Sequence, residues 1–123
     1  MQLRSGKILK TVEKSTEERN KKLFVQEVAH LQTEYKDTLP FHIRLRIVFQ
    51  IVMKATKFYQ TRPISNLMLH NKMLQTTKAK CEEILCALDI HTDEEIQLSG
   101  YSKKYIRGQI KKTQKMLTDK YNL

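Results

Sequence analysis

The stretch that decides the fold is LPFHIRLRIVFQIVMKATKFY, residues 39–59, the only long segment apolar enough to form a central core element. In a helix of about 3.6 residues per turn, its polar residues share one narrow stripe, and apolar side chains cover the remaining circumference. The stripe contains Arg46, Gln50, Lys54 and Lys57. Such a helix needs neighbours on several sides. The sequence therefore predicts an all-α fold, a compact bundle with residues 39–59 as its middle helix.

The beginning of this segment also has the alternation of a strand. Phe41, Ile43 and Leu45 alternate with polar and basic residues, which a strand would turn toward solvent. Three features favour a helix: the spacing becomes helical after Ile47, Pro40 suits a first helical turn, and no partner strand with matching alternation is nearby. We therefore interpret the whole segment as one helix.

Capping signals and apolar spacing predict helices on both sides of this segment. Residues 15–18, Ser-Thr-Glu-Glu, form a capping box that begins a helix. That helix ends by Leu39, because the residue before a proline disfavours helical dihedrals. A heptad repeat predicts a third helix over about residues 64–89, with a possible break or bend at 75–79. The core positions of these two helices are Phe24, Val28, Leu31 and Tyr35, then Leu67, Leu74, Cys81, Ile84, Leu85 and Leu88.

The C-terminal part of the chain carries two further start signals. Residues 92–95, Thr-Asp-Glu-Glu, form a second capping box for a short helix that Gly100 would end. Ser102 caps a last helix that extends to about Lys120, and Gly108 lowers its intrinsic stability. The predicted core face of this helix is Ile106, Ile110, Thr113, Leu117 and Tyr121. The prediction is four main helices plus one short helix in a single domain, 15–123, after a basic N-terminal arm, 1–14.

Charge is distributed unevenly along the 123 residues, whose formal net charge is +10. Residues 101–123 contain seven basic residues and one acidic residue, whereas residues 61–100 contain four basic and six acidic residues. Such asymmetry indicates a polyanionic partner that meets the basic ends of the chain.

The last predicted helix carries most of the candidate binding residues. Ammonium and guanidinium groups along one helix face can each neutralise a phosphate and release counterions, and tyrosines there can stack on bases. A solvated face that keeps the protein soluble is the alternative interpretation. We predict a non-enzymatic nucleic-acid-binding protein, with DNA favoured over RNA and contacts mainly to phosphates. The candidates are Tyr101, Lys103, Lys104, Tyr105, Arg107, Lys111, Lys112 and Lys115, with Arg4, Lys7 and Lys10 of the arm.

Other functions are compatible with the same pattern. In a protein-interaction or virion structural module, the acidic third quarter would meet the basic termini of another copy, which predicts a homo-oligomer. A binder of acidic proteins or membrane surfaces has the same electrostatic basis. Residues 64–118 also permit a helix-turn-helix arrangement, although the connection over residues 89–102 is long for that motif.

Neither a metal site nor an active site is predicted. The four histidines are dispersed, and Cys81, Cys86 and His91 lack the paired spacing of zinc ligands. The chain has no Gly-rich phosphate loop, nucleophile elbow or Ser/His/Asp grouping, so we expect no cofactor and no small-molecule substrate. The two cysteines point to different helix faces and cannot easily bridge, which indicates a reducing compartment. With no apolar leader and no uncharged span, we expect a soluble intracellular protein.

The first residues, Gln2-Leu3-Arg4-Ser5-Gly6-Lys7, resemble the beginnings of many small proteins of large nucleocytoplasmic DNA viruses, including the marseillevirus group. This resemblance implies a viral protein that acts in the host cytoplasm or nucleus, or that is packaged in the virion. It covers six residues and implies no site residues.

Overall fold

The computed structural model describes residues 22–61 and 67–123, and within these ranges the protein is built of five helices without strands. Helix α1 covers residues 22–34 of the described part. It is followed by α2 (Phe41–Gln60), α3 (Leu67–Ile90), α4 (Asp93–Gln97) and α5 (Lys103–Tyr121). The predicted bundle of four main helices and one short helix is confirmed. The arm over residues 1–14 and the capping box at 15–18 lie outside the described residues.

Helix α2 is the middle helix of the bundle, as its apolar circumference predicts. It begins after Pro40, whose carbonyl accepts hydrogen bonds from the backbone amides of Ile43 and Arg44, both at 3.1 Å. The strand-like alternation at its start is helical in the structure, and the Arg44 side chain donates from Nε to the carbonyl oxygen of Leu39 at 3.1 Å. The buried residues of α2 are Leu45, Ile47, Val48, Phe49, Ile51, Val52, Ala55 and Tyr59.

The core consists of two clusters, and α2 contributes to both. In the first cluster, Ile51 and Tyr59 of α2 meet α1, α3 and the end of α5. In the second, Phe49 and Val52 meet α3, α4 and the beginning of α5. The predicted faces of α1 and α5 point into these clusters. The buried residues on those two faces are Phe24, Val28, Leu31, Ile106, Ile110, Thr113, Leu117 and Tyr121.

Helix α3 is continuous through residues 75–79, where the sequence did not decide between a continuous helix and a break. Thr77 is buried there, and its hydroxyl donates to the carbonyl oxygen of Met73 at 2.8 Å. A buried threonine whose hydroxyl is bonded within its own helix can replace an apolar residue in the heptad pattern. Leu74 and Leu88, on either side of it, are fully buried.

The short helix α4 begins with the predicted capping box. The hydroxyl of Thr92 accepts from the backbone amide of Glu95, and the Glu95 carboxylate accepts from the backbone amide of Thr92. The helix buries only Ile96 in the core. Gly100 follows at φ 94°, a conformation that favours glycine, and it turns the chain toward α5.

Candidate nucleic-acid interface

Helix α5 is closed at both ends by local hydrogen bonds. The hydroxyl of Ser102 accepts from the backbone amide of Tyr105 at 3.1 Å, as the sequence predicts for an N-cap. At the other end Asn122 adopts the left-handed conformation, with φ 59°. The backbone amides of Asn122 and Leu123 donate to the carbonyls of Thr118 and Leu117, both at 3.0 Å. The capped helix can therefore present the side chains of one face in a fixed order.

The rotation of α5 about its axis is set by contacts with α2. The hydroxyls of Thr56 and Thr113 lie 2.7 Å apart, and Thr113 is fully buried. Lys120 Nζ and the Tyr121 hydroxyl donate to the carbonyl oxygen of Tyr59, at 2.7 and 2.8 Å. These contacts turn the opposite side of α5 toward solvent. Three exposed lysines lie on that side, and a fourth, Lys112, lies at its edge about 100° from Thr113. We call these four residues, Lys104, Lys111, Lys112 and Lys115, the outer lysine face.

The outer lysine face is free of intramolecular ion pairs in the part of the chain that the structure describes. At about 100° per residue, Lys104, Lys111 and Lys115 lie roughly 160–180° around the helix from Thr113. Their ammonium groups are available to an external anion. This part of the predicted site is brought together on one exposed surface.

Two other predicted binding residues, Lys103 and Arg107, make contacts within the chain instead. Lys103 Nζ lies 3.1 Å from an Asp93 carboxylate oxygen and donates to the carbonyl oxygen of His91 at 3.1 Å. Arg107 lies 3.2 Å from a carboxylate oxygen of Asp89 on α3. These cations hold the beginning of α5 against α3 and α4, so the outer lysine face does not include them.

The junction of α3 and α4 over residues 91–95, which Lys103 contacts and which we call the corner, is held by its own hydrogen bonds. His91 Nδ1 lies 3.0 Å from the Glu95 carboxylate, and the His91 ring stacks on Phe41 with 3.5 Å between ring centroids. Hydrogen bonds from His91 and then from Thr92 lower the pKa of the exposed Glu95 carboxyl. The corner therefore connects α3, α4 and the beginning of α2 beside the first turn of α5.

The aromatic rings of Tyr101 and Tyr105 stack on each other at the beginning of α5. Their rings are nearly parallel, with centroids 5.8 Å apart and an interplanar angle of 11°. Both meet Phe49 of α2 edge-on, at 4.9 and 6.1 Å. Tyr101 is partly buried against the core, whereas Tyr105 is 49% exposed. Of the two predicted stacking residues, Tyr105 is the one accessible to a ligand.

One cation of the α2 polar stripe and one cation of α5 pair with acidic residues of different helices. Lys54 of the α2 stripe lies 3.1 Å from a Glu27 carboxylate oxygen on α1. Arg107 of α5 lies 3.2 Å from a carboxylate oxygen of Asp89 on α3. These two cations therefore do not join the two helices into one basic surface.

The remaining predicted binding residues, Arg4, Lys7 and Lys10, lie outside the described residues. Within residues 22–61 and 67–123, no three His, Cys, Asp or Glu side chains converge on a possible metal position. No helix in the same ranges is long and apolar enough to cross a membrane. The five-residue connection between α4 and α5, and the single turn of α4, depart from the helix-turn-helix pattern.

Comparison with known proteins found no matching family model, no matching curated protein and no matching solved structure.

Proposed function

We propose that this chain is a non-enzymatic nucleic-acid-binding protein whose main contacts are to phosphates, made largely without sequence preference by the outer lysine face of α5. The proposal is supported by a difference among the basic residues of α5: in the described part of the chain, two are paired with acidic residues and the four of the outer lysine face are not. Lys103 and Arg107 are neutralised by acidic residues of the chain, whereas the four lysines of the outer lysine face are exposed and make no ion pair within the described residues. Clustered unpaired cations on a rigid helix favour a polyanion, because each can neutralise a phosphate and release a counterion.

Self-association through opposite charges is less well supported. Of the six acidic residues of the third quarter, Asp89 and Asp93 already pair with Arg107 and Lys103 of the same chain. Two outer lysine faces would repel each other if they met in a dimer. We therefore prefer nucleic acid as the partner, with DNA before RNA.

The proposal extends to the N-terminal arm, where Arg4, Lys7 and Lys10 would add phosphate contacts. It also extends to a viral origin, on the resemblance of residues 2–7 alone. Both extensions rest on the sequence.

The test is a fluorescence anisotropy titration with labelled DNA and RNA oligonucleotides at about 50 and 200 mM salt. Four phosphate contacts give a slope of log affinity against log salt of about −3, so affinity should fall roughly 50- to 150-fold between these concentrations. A variant with Lys104, Lys111, Lys112 and Lys115 changed to glutamine should lose most of this dependence.

A matched variant controls for net charge. Changing Lys22, Lys36, Lys57 and Lys72 to glutamine removes the same four charges from exposed positions outside α5. This control should bind with an affinity within a few-fold of the unchanged protein, because its outer lysine face is intact. Absence of binding to both DNA and RNA at low salt, or equal losses in the two variants, would contradict the proposal.

A further inference from the structure

Neither the backbone conformation nor the packing of α5 requires a glycine at position 108. It lies in the middle of α5, in ordinary helical conformation and exposed to solvent. A Cβ atom added at this position would meet nothing within 4 Å. Apart from proline, glycine is the least favourable residue in a helix interior. Packing within the chain therefore does not explain it, whereas close approach of a ligand to the helix backbone does.

The neighbours of Gly108 on the helix surface are cations and one accessible aromatic ring. Residues three and four positions apart are adjacent on a helix. Along one such row Gly108 lies between Lys104 and Lys112, and along the other it lies between Tyr105 and Lys111. The two rows cross at Gly108, which leaves a notch with three ammonium groups and the half-exposed Tyr105 ring around it.

We infer that a single nucleic-acid strand crosses α5 at Gly108, with a phosphate in the notch and an adjacent base stacked on Tyr105. This inference rests on the proposed function and adds the form of nucleic acid that the site takes. Tyr105 is suited to stacking because Tyr101 and Phe49 hold its ring in place while half of its surface stays exposed. Bases in a duplex are already stacked on one another, so this contact favours a single strand.

The charge around the notch also identifies the class of ligand. A glycine on a helix surface can admit a second helix, but a second copy of this chain would bring like charges together. A nucleic-acid strand supplies both negatively charged phosphates for the lysines and an aromatic base for Tyr105. The contacts of this site are therefore those of a single strand with bases, and a polyanion without bases would use only part of them.

The experiment compares three probes of equal length on the unchanged full chain: a thymidine oligonucleotide, an abasic oligonucleotide of the same backbone, and a duplex. All carry phosphates, and only the first offers unpaired bases. Anisotropy titrations at low salt should show the abasic strand binding about tenfold more weakly than the thymidine strand, since one stacked base is lost. Equal affinity for the thymidine and abasic strands would overturn the stacking contact.

Variants at Tyr105 connect that difference to one side chain. Tyr105→Phe keeps the ring and should bind all three probes like the unchanged chain. Tyr105→Leu should bind the thymidine strand about tenfold more weakly, and the abasic strand and the duplex with unchanged affinity. A loss that is the same for all three probes would assign Tyr105 to folding alone and overturn the inference.

Gly108→Ala tests the notch. A methyl group pushes the phosphate outward by about 1.5 Å, and moving it from ~4 to ~5.5 Å from three ammonium groups weakens binding about fourfold even at the dielectric constant of water. The variant should unfold at a higher temperature than the unchanged chain while it binds more weakly. Thr118→Ala, ten residues further along α5, is the control and should bind normally.

The outcomes separate the two proposals. If no probe binds, the proposed function is wrong, and this inference is wrong with it. If binding depends on the outer lysine face but is unaffected by Gly108→Ala and by removal of the bases, the proposed function stands and the crossing at Gly108 is wrong.

Discussion

Replacing Thr56 and Thr113 by alanine, singly and together, tests how α5 is fixed against α2. The two hydroxyl oxygens are 2.7 Å apart in the partly buried contact between the helices. Each hydroxyl also reaches a carbonyl in its own helix, Val52 O at 2.8 Å and Gln109 O at 3.1 Å. After either substitution, the remaining hydroxyl therefore still has a hydrogen-bond partner.

The magnitude follows from this arrangement. A hydroxyl has one proton, so one of the two donates across the contact while the other donates to the carbonyl of its own helix. The pair therefore makes two hydrogen bonds of about 1 kcal/mol each, and either single variant keeps one of them. Relative to Thr118→Ala, which shares the change in helix propensity, each single substitution should lower the free energy of unfolding by about 1 to 2 kcal/mol, the larger figure including the lost burial of a methyl group. A loss of about 1 kcal/mol corresponds to roughly 4 °C in Tm for a chain of this length, and the two losses should add in the double variant.

The assay is urea unfolding followed by far-ultraviolet circular dichroism for the unchanged chain, the two single variants and the double variant. Thr118 is the control position, because it is exposed and its hydroxyl bonds only to the carbonyl of Gln114 in its own helix. Thr118→Ala should change the free energy of unfolding by less than about 0.5 kcal/mol. If Thr56→Ala and Thr113→Ala cost no more than Thr118→Ala, the threonine pair does not fix α5 energetically and the reasoning is refuted.

Two further predictions concern buried titratable groups. Burial raises the pKa of the Cys81 thiol to about 12, whereas Cys86 is exposed. A thiol reagent should therefore label Cys86 quickly and Cys81 only when the chain unfolds. Two fast-reacting thiols would contradict the packing of α3. Burial, with a smaller contribution from Tyr121, raises the pKa of Tyr59 from about 10 to about 12. The unfolded chain then ionises first, at Cys81 above about pH 9 and at Tyr59 above about pH 10, so the free energy of unfolding should decrease as the pH rises from 9 toward 12, with the Tyr59 contribution beginning near pH 10. Tyr59→Phe should weaken this decrease in denaturant titrations across that range, and an unchanged profile would show that Tyr59 is not its source.

The helices of the described core were largely predictable because their signals are local. The five positions expected on the core face of α5 are all buried, and the capping interactions at Thr92 and Ser102 form as expected. A helix places residues three and four apart on one side, so a short window of sequence contains the pattern. The possible break in α3 could not be decided from the sequence, because a polar threonine at a core position weakens the apolar pattern. In the structure the Thr77 hydroxyl is satisfied by its hydrogen bond to the carbonyl oxygen of Met73, and the helix continues.

The candidate site was predictable in part. The sequence identifies a basic side of the last helix, and Lys104, Lys111, Lys112 and Lys115 are exposed there. Lys103 and Arg107 belong to the same pattern, but their partners Asp93 and Asp89 are ten and eighteen residues earlier in the chain. No helical periodicity connects residues at such separations. The special position of Gly108 was also not apparent, although a glycine flanked by lysines at helical intervals was the available signal.

By itself, the sequence determined that this protein is a helical bundle around residues 39–59 and that α5 has one apolar and one basic side. Both properties depend on residue spacing within a single helix. Only the tertiary structure decided which cations are neutralised, which tyrosine is accessible, and that Lys54 of α2 and Arg107 of α5 pair with different neighbours. These properties depend on the rotation of one helix against another, which is set by contacts such as that of Thr56 with Thr113, between residues far apart in the chain.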